Sequence, residues 1–194
     1  VESFNPPIFA CFCSENLRSG LDRLAHYKDL VAPIQFAVYH NSSLTSVALY
    51  PLSELGTCPV SILAFEFAFL VRLARLATRK HIVPEAIYSP YTLPEQPLYE
   101  DFFGVKIEKS KINQIVFSSH DASIPFLSSH HAMWQFFEPQ LDMQLKFSDE
   151  GNLTERVKLL LRGLLAGGPP QIERVAEQLS MSVRTLQRQL KQEN

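Results

Sequence analysis

The side chains with the clearest chemical purpose lie near the end of the chain, on the second of two short predicted helices. Arg184, Gln187, Arg188 and Lys191 follow one another at spacings of three, one and three residues, which places them on one helix face. Arginine and glutamine can each make paired hydrogen bonds to a base edge, whereas lysine suits a phosphate. This pattern predicts a surface that contacts DNA.

The remaining positions of the same segment predict two helices that pack together and leave that face exposed. The apolar positions recur at helical spacing and are Ile172, Val175, Ala176 and Leu179 in the first helix and Val183, Leu186 and Leu190 in the second. Ser182 is placed to cap the second helix, its hydroxyl accepting from an N–H of the next turn. Two such helices predict a helix-turn-helix reader of DNA. Periodicity alone is equally compatible with an ordinary helical hairpin whose basic face is solvated.

The amino-acid sequence of residues 175–193, VAEQLSMSVRTLQRQLKQE, is more specific than its periodicity. It closely resembles the first helix-turn-helix of the AraC family of bacterial transcription activators, whose usual form is V-A-x-x-L-G-M-S-x-R-T-L-Q-R-x-L-x-x-E-G. The matching positions are Val175, Ala176, Leu179, Met181, Ser182, Arg184, Thr185, Leu186, Gln187, Arg188, Leu190 and Glu193. Ser180 departs from the family's glycine, and in a left-handed conformation serine costs roughly 1 kcal/mol relative to glycine.

The resemblance also assigns roles to residues. It implies that Arg184, Gln187 and Arg188 read bases and that Thr185 and Lys191 flank them against phosphate. The family's DNA-binding domain holds two helix-turn-helix units, and Asn194 falls where the helix that links them begins. We therefore expect a truncated chain with one reader, binding DNA weakly and without sequence specificity.

The earlier part of the chain carries a second resemblance. Three segments, NLRSGLDRLAHYKDLVAP, YTLPEQPLYEDFFGVKI and NQIVFSSHDASIPF, look like the regulatory domain of an AraC subgroup labelled arabinose-binding-like. That subgroup includes regulators of amino-acid catabolism such as ornithine utilisation, and in it a further stretch precedes these segments. The body does not resemble the sugar-binding domain of the arabinose regulator itself. Arabinose is therefore not the expected ligand, and the effector-sensing domain is expected to be incomplete at its N-terminus.

Composition fits a soluble regulator with a basic end. The 194 residues are 46% hydrophobic and 20% charged, as in ordinary globular proteins. From Thr154 onward seven basic residues stand against four acidic ones, a net +3, while the preceding 153 residues hold 11 against 16, a net −5. A basic end on an acidic body favours DNA as a partner. No secretory leader or membrane span is evident, so we expect a cytoplasmic protein.

Catalytic and metal-binding patterns are weak throughout. Ser118, His120 and Asp121 contain the residue types of a catalytic triad, but neighbours at the end of a strand alternate faces and do not converge. The pair His130-His131 would point about 100° apart on a helix, with no further ligand at zinc-like spacing. Cys11 and Cys13 read as small buried residues rather than a metal or redox pair. We expect no enzyme activity, no cofactor and no metal.

A charged cluster in the longest predicted helix is the remaining candidate site. Glu66 lies among phenylalanines and is expected to be buried, so it must be paired or protonated. Together with Arg72 and Arg75 it forms a candidate ligand site, in which Glu66 would face a cationic ligand or an internal arginine. An internal ion pair without any ligand is the more favoured of these alternatives.

The elements that must position these residues follow from local pattern. We predict helices over Asn16–Leu30, Val60–Lys80, about one turn at Leu98–Phe103, Ser129–Leu145 and Thr154–Ala166, and strands over Ile34–Tyr39, Leu44–Tyr50, Glu85–Ser89 and Asn113–Ser118. This is an α+β regulatory domain over residues 1–148, a small sheet with a long packed helix, followed by an all-α helix-turn-helix segment over 153–194.

The predicted function is a DNA-binding transcription regulator that controls gene expression in response to a small-molecule effector. Its expected partners are promoter DNA and the effector. The helix Ser129–Leu145 has more large apolar surface than one packing face needs, which is compatible with a homodimer and, equally simply, with burial against the regulatory domain. The alternative is a non-enzymatic ligand-binding or dimerisation module whose terminal helices do not read DNA.

Overall fold

A computed structural model describes residues 5–32, 34–51, 59–149, 153–154, 157, 160–161, 171–179 and 181–193, without the side chains of 146–149. The chain divides into two compact units, Val1–Leu141 and Asp142–Asn194. The boundary predicted near residues 148–152 falls largely outside the described residues and stays a prediction. Within the described part of the chain, no helix is both long enough and apolar enough to cross a membrane.

The helices are short except for two. They are α1 (Pro6–Phe12), α2 (Leu17–His26), α3 (Val60–Thr78), α4 (Gln96–Phe103), α5 (Ser119–Ala122), α6 (His131–Asp149), α7 (Ile172–Gln178) and α8 (Val183–Glu193), with a 3₁₀ turn at Lys28–Leu30. The strands are β1 (Ile34–His40), β2 (Leu44–Pro51), β3 (Ala86–Ser89), β4 (Ile107–Lys109) and β5 (Asn113–Ser118).

The five strands form one sheet in the order β1-β2-β5-β3-β4. The pairs β1–β2, β2–β5 and β3–β5 are antiparallel, and β3–β4 is parallel. Directly paired residues of neighbouring strands share a face, so Val47, Ile115 and Ile87 project from the same side of the sheet, and all three are fully buried. These strands therefore cover one face of the sheet with apolar side chains.

The core of the first unit lies between that face and two helices. Leu17, Leu21 and Leu24 of α2 join the apolar side chains of α3, such as Phe67 and Leu70, in one buried cluster with the strand residues. The prediction of α3 as a central helix packed on a sheet is confirmed. α4 ends as predicted at Gly104, whose φ of 86° is left-handed, a conformation that glycine adopts at little cost.

Several elements differ from the prediction. α1 and β4 were not predicted. Asn5 caps α1, its side chain accepting from the Ile8 N–H at 3.2 Å, and proline follows at the first helical position. β5 ends at Ser118, as predicted, but residues 119–122 form α5, so the expectation that His120 and Asp121 alternate faces at the end of a strand is wrong.

The helix predicted to begin at Ser129 begins at His131 instead. The ring of His130 precedes it, and its Nδ1 accepts a hydrogen bond from the Met133 N–H at 3.1 Å. Such an imidazole takes the place of an N-cap side chain, since it satisfies one of the free N–H groups at the start of the helix. The two adjacent histidines thus differ in role, one preceding α6 and one inside it.

Candidate functional site

The outer face of α8 carries the side chains that the sequence assigned to DNA. Arg184, Gln187, Arg188 and Lys191 are all exposed. Among the described residues, no ion pair or hydrogen bond engages any of these four side chains. As far as the described residues show, these three cations and the amide keep their hydrogen-bonding capacity toward solvent.

The turn before α8 holds this face in place. The Thr185 N–H donates to Ser182 Oγ at 3.1 Å, which is the predicted capping bond, and the two hydroxyl oxygens of Ser182 and Thr185 lie 2.8 Å apart. The Met181 N–H donates to the Ala176 carbonyl at 2.8 Å, closing the end of α7. The prediction for the backbone of Ser180 lies outside the described residues.

The inner faces of α7 and α8 bury a small apolar cluster. Val175, Ala176 and Leu186 are buried together with Leu153, and Leu160, Leu161, Met181 and Leu190 pack around them. Because Leu186 is fixed on the inside, positions 184, 187, 188 and 191 must face outward at 100° per residue. The apolar periodicity of the segment therefore decides which side chains of α8 are exposed.

Glu193 has a structural role that the sequence did not reveal. One carboxylate oxygen accepts from the Leu153 N–H at 2.8 Å, and the other accepts from the Thr154 N–H at 2.7 Å and from its hydroxyl at 2.8 Å. Leu153 and Thr154 are helical, and the carboxylate of Glu193 satisfies the hydrogen-bonding requirement of both of their N–H groups. The contact spans forty residues of sequence, which no local pattern can indicate.

In the first unit, Glu66 is buried and paired internally. Both of its oxygens accept from Lys28 Nζ, at 2.7 and 2.8 Å, and each side chain is 2% exposed. The Lys28 ammonium also lies 4.4 Å from the centre of the Phe36 ring. Burial lowers the pKa of Lys28, against the opposing hydrogen bond and charge of Glu66. The partner is thus a lysine that the sequence did not single out, rather than an arginine.

The other two candidate ligand residues lie elsewhere on α3. Arg75 donates to the carbonyls of Ile82 at 2.8 Å, Phe102 at 2.7 Å and Phe103 at 3.2 Å, which ties α3 to the end of α4. Arg72 is exposed. The structure does not bring Glu66, Arg72 and Arg75 together, so their shared ligand site stays a prediction that this geometry does not favour.

The residues considered for catalysis or metal binding are explained by burial or by helix capping. Burial raises the pKa of the Cys11 thiol to about 12, so the thiol stays protonated at neutral pH. Ser118 Oγ accepts from the Asp121 N–H at 3.0 Å, as the N-cap of α5. Across the described ranges, no three or more histidine, cysteine or acidic side chains are placed to hold a metal ion.

Comparison with known proteins adds to this geometry. Residues 1–126 match the family model described as the arabinose-binding domain of AraC transcription regulators, N-terminal. The chain is similar to the crystal structure of the transcriptional regulator CdpR from Pseudomonas aeruginosa, with a TM-score of 0.55 and 17% sequence identity. That alignment covers 96% of this chain and 62% of the other, so this chain spans under two thirds of its length, and the likeness concerns the fold. No curated protein sequence matches the chain.

Proposed function

The chain belongs to the AraC transcription regulators that carry an N-terminal arabinose-binding domain, and from this premise we propose that it reads DNA with α8 and responds to a small-molecule effector through its first unit. The proposal that α8 reads DNA is supported by one observation. Four side chains of its outer face are exposed and have no hydrogen-bond or ion-pair partner among the described residues: Arg184, Gln187, Arg188 and Lys191. The effector is not inferred from the name of the domain. We further propose that the active form is a dimer, because two readers related by two-fold symmetry bind two half-sites together.

The residues of α8 take different parts in this proposal. Arg184, Gln187 and Arg188 contact base edges in the major groove, where paired hydrogen bonds distinguish one base pair from another. Ser182 and Thr185 at the start of the helix, and Lys191 further along, contact phosphates and set the register of the helix on the duplex. α7 and α8 then act as a helix-turn-helix, with α8 as the recognition helix.

The test of this proposal is the loss of one base-reading side chain. DNA sequences bound by the full-length regulator are selected from a random pool, and the affinity of Arg188→Ala for the best sequence is measured by fluorescence anisotropy. We expect a loss of roughly 5- to 150-fold, since a good paired contact contributes about 1–3 kcal/mol of discrimination. Affinity for unrelated DNA should fall much less.

Two further variants make the result specific to α8. Lys191→Ala should weaken binding to all sequences alike and reduce the salt slope by about one. Lys111→Ala removes the same charge from an exposed position of the first unit and should leave both affinities unchanged. Equal affinity of the wild-type protein and Arg188→Ala for the selected sequence would contradict base reading and favour a module whose terminal helices do not read DNA.

A further inference from the structure

The face of the sheet opposite the core carries a groove of about 480 Å³, which we call the open-face groove. Directly paired residues build it in rows across β1, β2, β5 and β3. The first row is Tyr39, Ser46, Val116 and Ala86, and Gln114 and Tyr88 line the groove from the next row. The small side chains of Ser46 and Ala86 lie with Val116 on the floor between Tyr39 on β1 and Tyr88 on β3.

The dimensions of the open-face groove suit a small flat molecule. Neighbouring strands are about 4.8 Å apart, so four strands span about 14 Å from β1 to β3. One aromatic ring with a short side chain fits within that width. The volume lies within the range of about 300–1,000 Å³ that is usual for small-molecule sites.

The groove also presents polar groups that the protein itself does not use. Among the described residues, no hydrogen bond or ion pair engages the side chains of Tyr39, Ser46, Tyr88, Gln114 or Glu85, all of which line it. Together with the aliphatic side chains of Leu44 and Val116, these groups give a lining of mixed polarity, which can contact both a ring and its polar substituents. The opposite face has no such surplus, because its side chains are packed in the core.

The charges around the groove determine which ligands it can accept. Its lining includes no lysine or arginine among the described residues. His40 is engaged on both sides, with Nε2 3.0 Å from Asp22 and Nδ1 3.1 Å from the Thr45 hydroxyl. Glu85, an exposed carboxylate, has no internal partner in the described part of the chain. The lining therefore has no lysine or arginine to attract an anionic ligand, whereas Glu85 can attract a protonated amine.

We propose that the open-face groove binds a small aromatic amine, with its ring on the floor between Tyr39 and Tyr88 and its ammonium group beside Glu85. The proposal rests on the proposed response to an effector and names the place and chemical class of that effector. Gln114 and Ser46 supply hydrogen bonds to polar substituents of the ring. The tyrosine faces supply both stacking and attraction to the cation.

Three probes that share a ring and a two-carbon chain test the charge preference. They are tyramine, which is cationic, tyrosol, which is neutral, and 4-hydroxyphenylacetate, which is anionic. Each is titrated to millimolar concentration into the ¹⁵N-labelled chain while amide chemical shifts are recorded. We expect tyramine to shift amides of β1, β2, β3 and β5, with roughly two- to fivefold tighter binding than tyrosol and still weaker binding of the anion.

Variants of the lining locate the site without depending on one substitution. Glu85→Gln should remove the advantage of tyramine over tyrosol, and Tyr39→Ala should weaken both. Tyr91→Ala, which removes an exposed tyrosine outside the groove, should change neither. Ala86→Trp, whose folding is checked by its spectrum, should block binding by filling the floor.

The proposal is overturned if tyramine and tyrosol shift no amides of these strands, if 4-hydroxyphenylacetate binds most tightly, or if Tyr39→Ala and Ala86→Trp bind as the wild type does. The titrations contain no DNA, so a failure of base reading by α8 cannot affect them. A metabolite that raises the melting temperature without shifting the sheet amides would preserve effector response and refute the groove as its site.

Discussion

At the scale of single residues, the first unit holds two charges that are tied to each other inside an apolar core. Lys28 and Glu66 are each 2% exposed in their side chains, and both oxygens of Glu66 accept from the lysine. Removing two charges from water is costly, and their attraction repays this only when the geometry is good. The intact pair therefore contributes little net stability. The loss of either partner alone is destabilising, because it leaves a buried charge unpaired.

We predict that Glu66→Leu and Lys28→Met each lower the free energy of unfolding by about 3–5 kcal/mol, because each leaves one buried charge without a partner. The double variant should recover most of this loss, since it leaves no charge in the core. The measurement is urea denaturation of the four proteins as a double-mutant cycle.

The exposed variant Lys80→Met serves as the control, with an expected change within about 0.5 kcal/mol. Additive losses in the double variant would show that the two side chains do not depend on each other. That result would also remove the reason to regard Glu66 as fully engaged and therefore not available to a ligand.

At the scale of elements, the second unit is held by a contact between its last helix and a much earlier position. The carboxylate of Glu193 accepts three hydrogen bonds from the backbone and side-chain groups of Leu153 and Thr154. This contact and the cluster around Leu186 are separate constraints on α8. The orientation of the exposed face of α8 depends on both, because a helix end that frays releases the residues before it.

We predict that Glu193→Gln lowers the protection of the Leu153 and Thr154 amides from hydrogen exchange by roughly 5- to 30-fold. The reason is that the amide of glutamine would turn its own N–H donors toward these N–H groups and would lack the negative charge beside them, a change of about 1–2 kcal/mol. Hydrogen exchange followed by NMR reads these two amides directly.

Glu177→Gln provides the matched control, since Glu177 is an exposed glutamate of α7 whose side chain has no hydrogen-bond or ion-pair partner among the described residues. Its protection pattern should equal that of the wild type. Unchanged exchange at Leu153 and Thr154 in Glu193→Gln would mean that the hydrogen bonds to Glu193 do not hold these groups in solution.

At the scale of the whole molecule, α6 and the segment before it expose several large apolar side chains. Leu127 is 75% exposed, Phe136 65% and Met133 37%, whereas Trp134 of the same helix is 7% exposed and lies under the Arg23 guanidinium. The prediction that this helix has more apolar surface than one packing face needs is consistent with these values. A two-fold partner would cover what the core does not.

We predict that the chain dimerises at high concentration and that Phe136→Asp weakens the dimer roughly tenfold or more, since a buried aromatic anchor typically contributes above 1 kcal/mol. Light scattering over a concentration series gives the dissociation constant. Gln135→Asp adds the same charge at a neighbouring exposed position and should have a smaller effect. A monomer at every concentration would refute the dimer.

The sequence by itself determined the elements and faces that depend on local pattern. The strand Asn113–Ser118 was predicted to the residue, as was the start of α3 at Val60, because alternation and helical spacing are properties of neighbours in the chain. The outward face of α8 followed in the same way from the apolar residues opposite to it. These features need no knowledge of what the element packs against.

Only the tertiary structure decided the features that join distant parts of the chain. Lys28 follows a helix in a polar segment, and nothing nearby indicates that it is buried against Glu66, thirty-eight residues later. The insertion of β5 between β2 and β3 creates the rows of the open-face groove, and the reach of Glu193 to Leu153 fixes the end of α8. The physical reason is that such contacts arise when whole elements bury their apolar faces together, and which elements meet is decided by the packing of the entire domain rather than by any one segment.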